Sequence, residues 1–222
     1  MVSYVPETKE DLRRLIDANI PGDQIDISRI TDMSELFMDT DYNHPLESWD
    51  VSHVTNMDNM FSGSKYNHPL GSWDVSQVTN MNGMFAWSWY NHPLGSWNTR
   101  SVQSMDSTFS SSPYNHPLGT WDTSNVQTMN EMFGMSQYNH PLESWNVSQV
   151  VNMDNMFSCS YYNYPLNAWD IGKVRSMIRM FIASAYNHPL DSWDLSHVES
   201  MLYMFSTDEY NHPYPKGYNL GP

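Results

Sequence analysis

One spacing dominates this sequence. The pentapeptide Tyr-Asn-His-Pro-Leu recurs at intervals of 24 residues, and the same interval separates seven tryptophans from Trp49 to Trp193 and all eight phenylalanines. A globular enzyme has no reason to place its large apolar side chains at one fixed interval, whereas stacked repeats must fill the same core slot in every copy. The sequence therefore predicts a stack of equivalent repeats. The pentapeptide or a copy with one change begins at Tyr42, Tyr66, Tyr90, Tyr114, Tyr138, Tyr162, Tyr186 and Tyr210.

This register predicts one elongated domain in three parts. Residues 1–24 are expected to form an N-terminal capping helix, because Thr8 is placed as an N-cap and Leu12, Leu15 and Ile16 share one face. Residues 25–209 are expected to hold one partial and seven full 24-residue repeats. Residues 210–222, rich in Gly and Pro, are expected to end the stack as a C-terminal cap or tail.

Within one repeat, the residue pattern predicts a strand followed by a helical turn. Trp49 and Val51 alternate around Asp50, which favours a short strand, and Asp50 is also a good helix cap. Val54, Met57, Met60 and Phe61 then follow at helical spacing. The expected fold class is an α/β solenoid in which each coil has a short parallel strand and a short helical turn.

The repeat also resembles a known family. The pattern Leu-x-x-Trp-Asp-Val-Ser-x-Val-Thr-Asn-Met-x-x-Met-Phe, in residues 46–61 and 70–85, is similar to that of the BspA-like leucine-rich-repeat surface proteins found in mycoplasma lipoproteins. The resemblance implies a leucine-rich-repeat-like solenoid and a role in adhesion or protein interaction at a cell surface. It implies no catalytic residues.

Composition narrows the possible partners and compartment. The 25 acidic and 10 basic residues give a formal charge of −15, which opposes binding to nucleic acid or to anionic lipid surfaces. Cys159 is the only cysteine, so no disulfide framework is expected. The first 24 residues lack a signal peptide pattern, and no stretch predicts membrane insertion. A complete chain of this kind is expected to be intracellular, whereas the resemblance points to the surface or to secretion.

The pentapeptide suggests a displayed face. Its histidines lie side by side in adjacent copies, which raises a metal-binding array as a weaker possibility, although Tyr164 interrupts the series and no metal site is predicted. Its asparagines are expected to form a structural ladder, and the Asp series that includes Asp50 is expected to cap rather than to bind calcium. A ladder displayed along the outside is the hypothesis for Tyr66, His68, Tyr90, His92, Tyr114 and His116.

Departures from the repeat are the better candidates for a binding site. The copy that begins at Tyr162 gathers aromatic and basic residues, which is the composition of an interface core. Drift within a tolerant repeat explains the same residues equally well. Trp87 and Trp89, in the return loop before Tyr90, form a smaller second candidate. The partner-binding candidates in the first group are Tyr161, Tyr162, Tyr164, Lys173, Arg175 and Arg179.

These features favour a non-enzymatic repeat scaffold that binds a protein or glycan partner, in the manner of an adhesin. The alternative is a structural component of a larger assembly, such as a virion or a surface layer. No Gly-rich phosphate loop or nucleophile elbow is present, so neither an enzyme nor a cofactor is expected.

Overall fold

A computed structural model describes residues 3–205 and 210–219. Helix α1 spans Lys9–Asp17, and a 3₁₀ helix spans Gly22–Gln24. No β-strand occurs in the described residues, where neighbouring repeats are joined instead by isolated parallel bridges such as Asn56 to Asn80. None of the described helices has the length and apolar character to cross a membrane. Parts of the three predicted segments, at residues 1–2, 206–209 and 220–222, lie outside the described residues.

Helix α1 forms where the sequence predicts it. The Thr8 hydroxyl accepts a hydrogen bond from the Asp11 amide at 3.1 Å, which satisfies one of the free donors in the first turn. Leu12 and Ile16 are buried against the first repeat, and Leu15 is partly buried there. The helix therefore covers the N-terminal end of the core.

The predicted α/β solenoid is wrong, because both of its elements are replaced by turns. The Trp49 amide donates to the Leu46 carbonyl at 3.0 Å, and the Val54 amide donates to the Val51 carbonyl at 2.9 Å, so the expected strand is two tight turns. The expected helical turn after Val54 is interrupted at Asn59, whose φ of 50° is left-handed. A residue in that conformation cannot continue a right-handed helix.

The turns align so that each repeat hydrogen-bonds to the next one. The amides of Met57, Asn59 and Phe61 donate to carbonyls in the following repeat, at Asn80 (3.0 Å), Asn82 (2.7 Å) and Met84 (2.9 Å) respectively. The same three pairings recur from the first repeat to the last junction, at Met177, Arg179 and Phe181. These bonds all run in one direction, with the amide in the earlier repeat and the carbonyl in the later one. They hold the array together without strands.

The core is a set of aromatic and apolar columns, as the spacing predicts. Phe85 stacks on Phe61 and on Phe109 with ring centroids 5.7 Å apart in both cases. The column tryptophans are 1 to 5% exposed, and the indole nitrogen of Trp97 donates to the Leu70 carbonyl at 2.9 Å. Burying one such side chain contributes about 2 kcal/mol before the ordering cost, so these columns are the main source of stability.

Candidate interaction surface

The tyrosines of the pentapeptide face inward, which corrects the predicted displayed ladder. Tyr66, Tyr90 and Tyr114 are fully buried, and burial raises the pKa of each phenol above its ordinary value. Their hydroxyls accept hydrogen bonds from the amides at the start of the preceding Leu turns, for example from Leu94 to Tyr114 at 3.2 Å. A phenol can pack its ring in the core and still satisfy a buried amide, which explains its place.

The histidines are half-buried and hydrogen-bonded to the backbone. The Nε2 atoms of His68, His92 and His116 lie 2.8 to 3.0 Å from the main-chain carbonyl oxygens of the asparagines in the preceding copies. A carbonyl can only accept, so Nε2 carries the proton in each bond. Nε2 is therefore already occupied. Within residues 3–205 and 210–219, no three His, Cys, Asp or Glu side chains come together as a metal site.

The asparagines form the predicted ladder. The Oδ1 atom of Asn43 accepts from the Asn67 amide at 3.0 Å, and the Oδ1 atom of Asn67 accepts from the Asn91 amide at 3.0 Å. This pattern continues along the array to Asn211. The ladder fixes the exposed corner of every repeat and leaves side-chain amides along one edge of the molecule.

The Asp series forms Asx turns. The carboxylate of Asp50 accepts from the Ser52 amide at 3.1 Å, and hydrogen bonds from the Ser52 side chain and amide hold the pKa of Asp50 below its ordinary value. Asn146 makes the equivalent bond to the Ser148 amide without a charge. Turn formation therefore accounts for this series, as expected, although the turn does not begin a helix.

Exposed aromatic residues mark a different face of the array. Trp87 is 63% exposed, Trp89 is 61% exposed and Tyr161 is 66% exposed, whereas the column tryptophans are buried. Trp89 and Tyr161 occupy the same position of the repeat, three copies apart. The two candidate sites suggested by the sequence therefore share one column. We call Trp87, Trp89 and Tyr161 the aromatic face.

Several neighbours define the surroundings of the aromatic face. The Lys65 ammonium lies 5.9 Å from the Trp89 ring centroid and 2.7 Å from an Asp41 carboxylate oxygen. Tyr161 borders an open depression of about 590 Å³ that is also lined by Cys159 and Ala185. Met135, in the Trp87 column, is 47% exposed. The face is thus apolar and aromatic, with one cation beside it and the asparagine ladder along its border.

The other residues of the copy that begins at Tyr162 do not join Tyr161 in one site. Tyr162 is buried, with its ring 4.3 Å from Phe157, and Tyr164 is half-buried against the core. Lys173, Arg175 and Arg179 are exposed, but none of them lines the depression beside Tyr161. Each of these three basic residues contacts a side chain of a neighbouring repeat. Lys173 donates a hydrogen bond to Gln149, and Arg175 lies 3.7 Å from a Glu199 carboxylate oxygen. The Arg179 guanidinium lies 6.0 Å from the centroid of the Tyr203 ring.

Comparison with known protein families assigns the chain to one of them. A family model described as "Mycoplasma protein of unknown function, DUF285" matches residues 8–118 and, a second time, residues 105–216. The chain belongs to this family. The two tandem matches agree with the repeat organisation and with the mycoplasma-type resemblance, while the leucine-rich-repeat part of the resemblance is not confirmed, since residues 3–205 and 210–219 contain no β-strand. Neither the curated proteins nor the solved structures contain a match to this DUF285 chain.

Sequence reasoning missed part of this surface. Lys65 and Met135 share repeat positions with Trp89 and Trp87, and counting in steps of 24 residues would have found both. No feature of the sequence indicated that the pentapeptide tyrosines face inward. Tyr-Asn-His-Pro is polar enough to suggest an exposed loop throughout, and only the packing of the ring on the Phe column reveals its direction.

Proposed function

We propose that this DUF285 protein is a non-enzymatic repeat scaffold that binds a protein or glycan partner at a cell surface, in the manner of an adhesin. The observation that carries the proposal is the exposure of Trp87, Trp89 and Tyr161 on a framework whose other large aromatics are mostly buried. Exposed tryptophan and tyrosine supply large contact areas at a low entropic cost, and they are enriched where binding energy concentrates.

The framework supports this role because it holds the aromatic face in place. The Trp87 amide donates to the Ser110 carbonyl at 2.9 Å, and the Trp89 amide donates to the Ser64 carbonyl at 3.0 Å. Both backbones are therefore tied to neighbouring repeats. A surface that is ordered before binding loses less conformational entropy when the partner arrives.

The net charge and the amide groups of the asparagine ladder indicate the kind of partner. The net charge of −15 disfavours nucleic acid and anionic lipid and suits a neutral or cationic surface. The asparagine side chains that line the depression beside Tyr161 offer amide hydrogens to hydroxyl or carbonyl oxygens. Aromatic rings next to amides fit either a glycan or a polar protein surface.

The chain itself supplies the variant that tests this proposal. Trp87→Ser combined with Trp89→Gln installs residues that other copies carry at the same positions, namely Ser111 and Gln137. Ser111 has the same left-handed backbone as Trp87, with φ values of 54° and 57°. The backbone should therefore be preserved while the two rings are lost.

The experiment is a binding screen of the wild-type chain and this double variant against a glycan array and an array of extracellular proteins. We expect the wild-type chain to retain a defined ligand and the double variant to bind it at least about tenfold more weakly, since losing two aromatic contacts costs more than 1.4 kcal/mol. A ligand bound equally by both proteins would contradict the role of the aromatic face. Absence of any ligand would contradict the binding function.

A further inference from the structure

Two series of hydrogen bonds between repeats have the same donor and acceptor positions at every junction. At every junction the amide in the Met57 position and the amide in the Asn59 position donate to carbonyls of the following repeat. The last such pairs are Met177 to Ser200 at 2.8 Å and Arg179 to Leu202 at 2.9 Å. Met201 and Tyr203 come next in the two series.

The amides of Met201 and Tyr203 have no acceptor among residues 3–205 and 210–219. We call residues 201–203 the C-terminal edge. It exposes large hydrophobic side chains, since Leu202 is 51% exposed and Tyr203 is 64% exposed. Unpaired backbone donors beside exposed apolar residues are the features by which a sheet edge captures another chain.

The C-terminal edge already has the backbone shape of a paired repeat. Tyr203 has a φ of 56°, and its counterparts Arg179 and Asn155, which are paired, have φ values of 55° and 54°. Little rearrangement is needed before an acceptor binds. The described part of the tail packs beside this edge, where the Tyr218 ring lies 5.3 Å from the Phe205 ring and the Lys216 carbonyl accepts from the Leu195 amide at 2.7 Å.

The opposite end of the array is closed by helix α1. The Arg13 guanidinium donates to the carbonyls of Glu35 at 2.8 Å and Leu36 at 3.0 Å, and Lys9 donates to the Ser34 hydroxyl at 2.7 Å. Leu36 is the first-repeat equivalent of Met60, whose carbonyl accepts from the preceding repeat, and Leu12 and Ile16 pack on the same end of the core, so helix α1 occupies the place where a preceding repeat would lie. Helix α1 thus opposes head-to-tail stacking of identical chains.

We propose that the C-terminal edge is a docking site for a DUF285-type repeat segment of a separate protein, which extends the array at the Met201 and Tyr203 positions beside the tail. The occupant is defined by chemistry: it presents backbone carbonyls two residues apart to the amides of Met201 and Tyr203. Every junction within this chain is made by a segment of that kind. An apolar side chain of the incoming segment packs on Leu202 and Tyr203.

The test uses the full chain and a synthetic peptide with the sequence of residues 75–88. In the chain, the Asn80 and Asn82 carbonyls of this segment accept from Met57 at 3.0 Å and from Asn59 at 2.7 Å. Amide hydrogen exchange is followed by NMR, without peptide and with peptide in excess. A scrambled peptide of the same composition is the control.

We expect the Met201 and Tyr203 amides to exchange rapidly in the free chain and to slow by about tenfold or more with the repeat peptide, because a hydrogen bond must open before exchange. Met177 and Arg179 should be protected throughout. Protection of Met201 and Tyr203 in the dilute free chain, no change on peptide addition, or equal slowing by the scrambled peptide would each overturn the proposal.

Two further outcomes identify the occupant and the contact. Slowing that grows with protein concentration in the absence of peptide would assign the edge to a second copy and overturn the assignment to a separate protein. Tyr203→Asn, which installs the residue of Asn155, keeps the amide and removes the ring. It should weaken peptide binding while saturating peptide still slows the amides, and complete loss of that slowing would show that the ring rather than the backbone makes the contact.

Discussion

The nine tryptophans fall into two groups that have opposite surroundings. Trp97 is 3% exposed and donates through its indole nitrogen to Leu70, whereas Trp87 and Trp89, a few residues earlier, are more than 60% exposed. The first group recurs in every full repeat, and the second occurs once. The contrast shows that repetition marks the residues that build the array, while exceptions mark the residues available to a partner.

The largest expected effect concerns the buried group. Trp97→Ala should lower the free energy of unfolding by about 3–5 kcal/mol, because it leaves a cavity in the column and removes one of the two hydrogen bonds to the Leu70 carbonyl. Urea denaturation followed by circular dichroism measures this change. A loss below about 1 kcal/mol would place Trp97 outside the core and contradict the division of the tryptophans into buried and exposed groups.

Alkaline pH should weaken the same core through its tyrosines. Burial holds the pKa of Tyr90, Tyr114 and Tyr138 above the ordinary value, so the folded phenols keep their protons where unfolded ones lose them. Their contribution is fully present below about pH 10 and is lost as the pH rises above it. Urea denaturation at about pH 8 and about pH 11 should show a marked fall in stability, and equal stability would contradict the burial of these phenols.

Two tyrosine variants compare buried phenols that differ in their hydrogen bonding. Tyr114→Phe removes the acceptor of the Leu94 amide, which lies 3.2 Å away, and should cost about 1–3 kcal/mol. The Tyr162 hydroxyl faces the Leu142 amide in the same way but beyond normal hydrogen-bond distance, so Tyr162→Phe should cost less. Urea denaturation of both variants measures the difference, and equal losses would argue against the amide–phenol bond.

The smallest expected effect concerns the exposed group. Trp87→Ser with Trp89→Gln should change the free energy of unfolding by less than about 1 kcal/mol, since exposed rings lose little contact and the Lys65 interaction is solvated. The same urea denaturation measures it, with Trp97→Ala as the reference. A loss as large as that of Trp97→Ala would mean that the aromatic face is structural.

The repeat register and the identity of the core columns were predictable because buried slots repeat in every copy. Phe85 and Trp97 are in the core as the spacing requires. The local backbone was not predictable, because Asn59 and Glu131 adopt left-handed φ values that their residue types do not predict. The same positions carry Arg179 and Tyr203 with φ values of 55° and 56°, so the type of side chain does not determine this conformation.

The candidate surface was predictable only in part. Trp87, Trp89 and Tyr161 stood out as departures from the repeat, and all three are exposed. Tyr162 stood beside them in the sequence, but adjacent residues in these turns point to opposite sides, so it is buried. Sequence proximity therefore grouped residues that the fold separates.

Fluorescence quenching by acrylamide tests the division of the tryptophans most directly. For the wild-type chain we predict two populations, a small one that is readily quenched and a larger one that is protected. In the variant with Trp87→Ser and Trp89→Gln the readily quenched population should disappear while the protected one remains. Unchanged quenching in that variant, or uniform quenching of all nine tryptophans in the folded wild-type chain, would contradict the account.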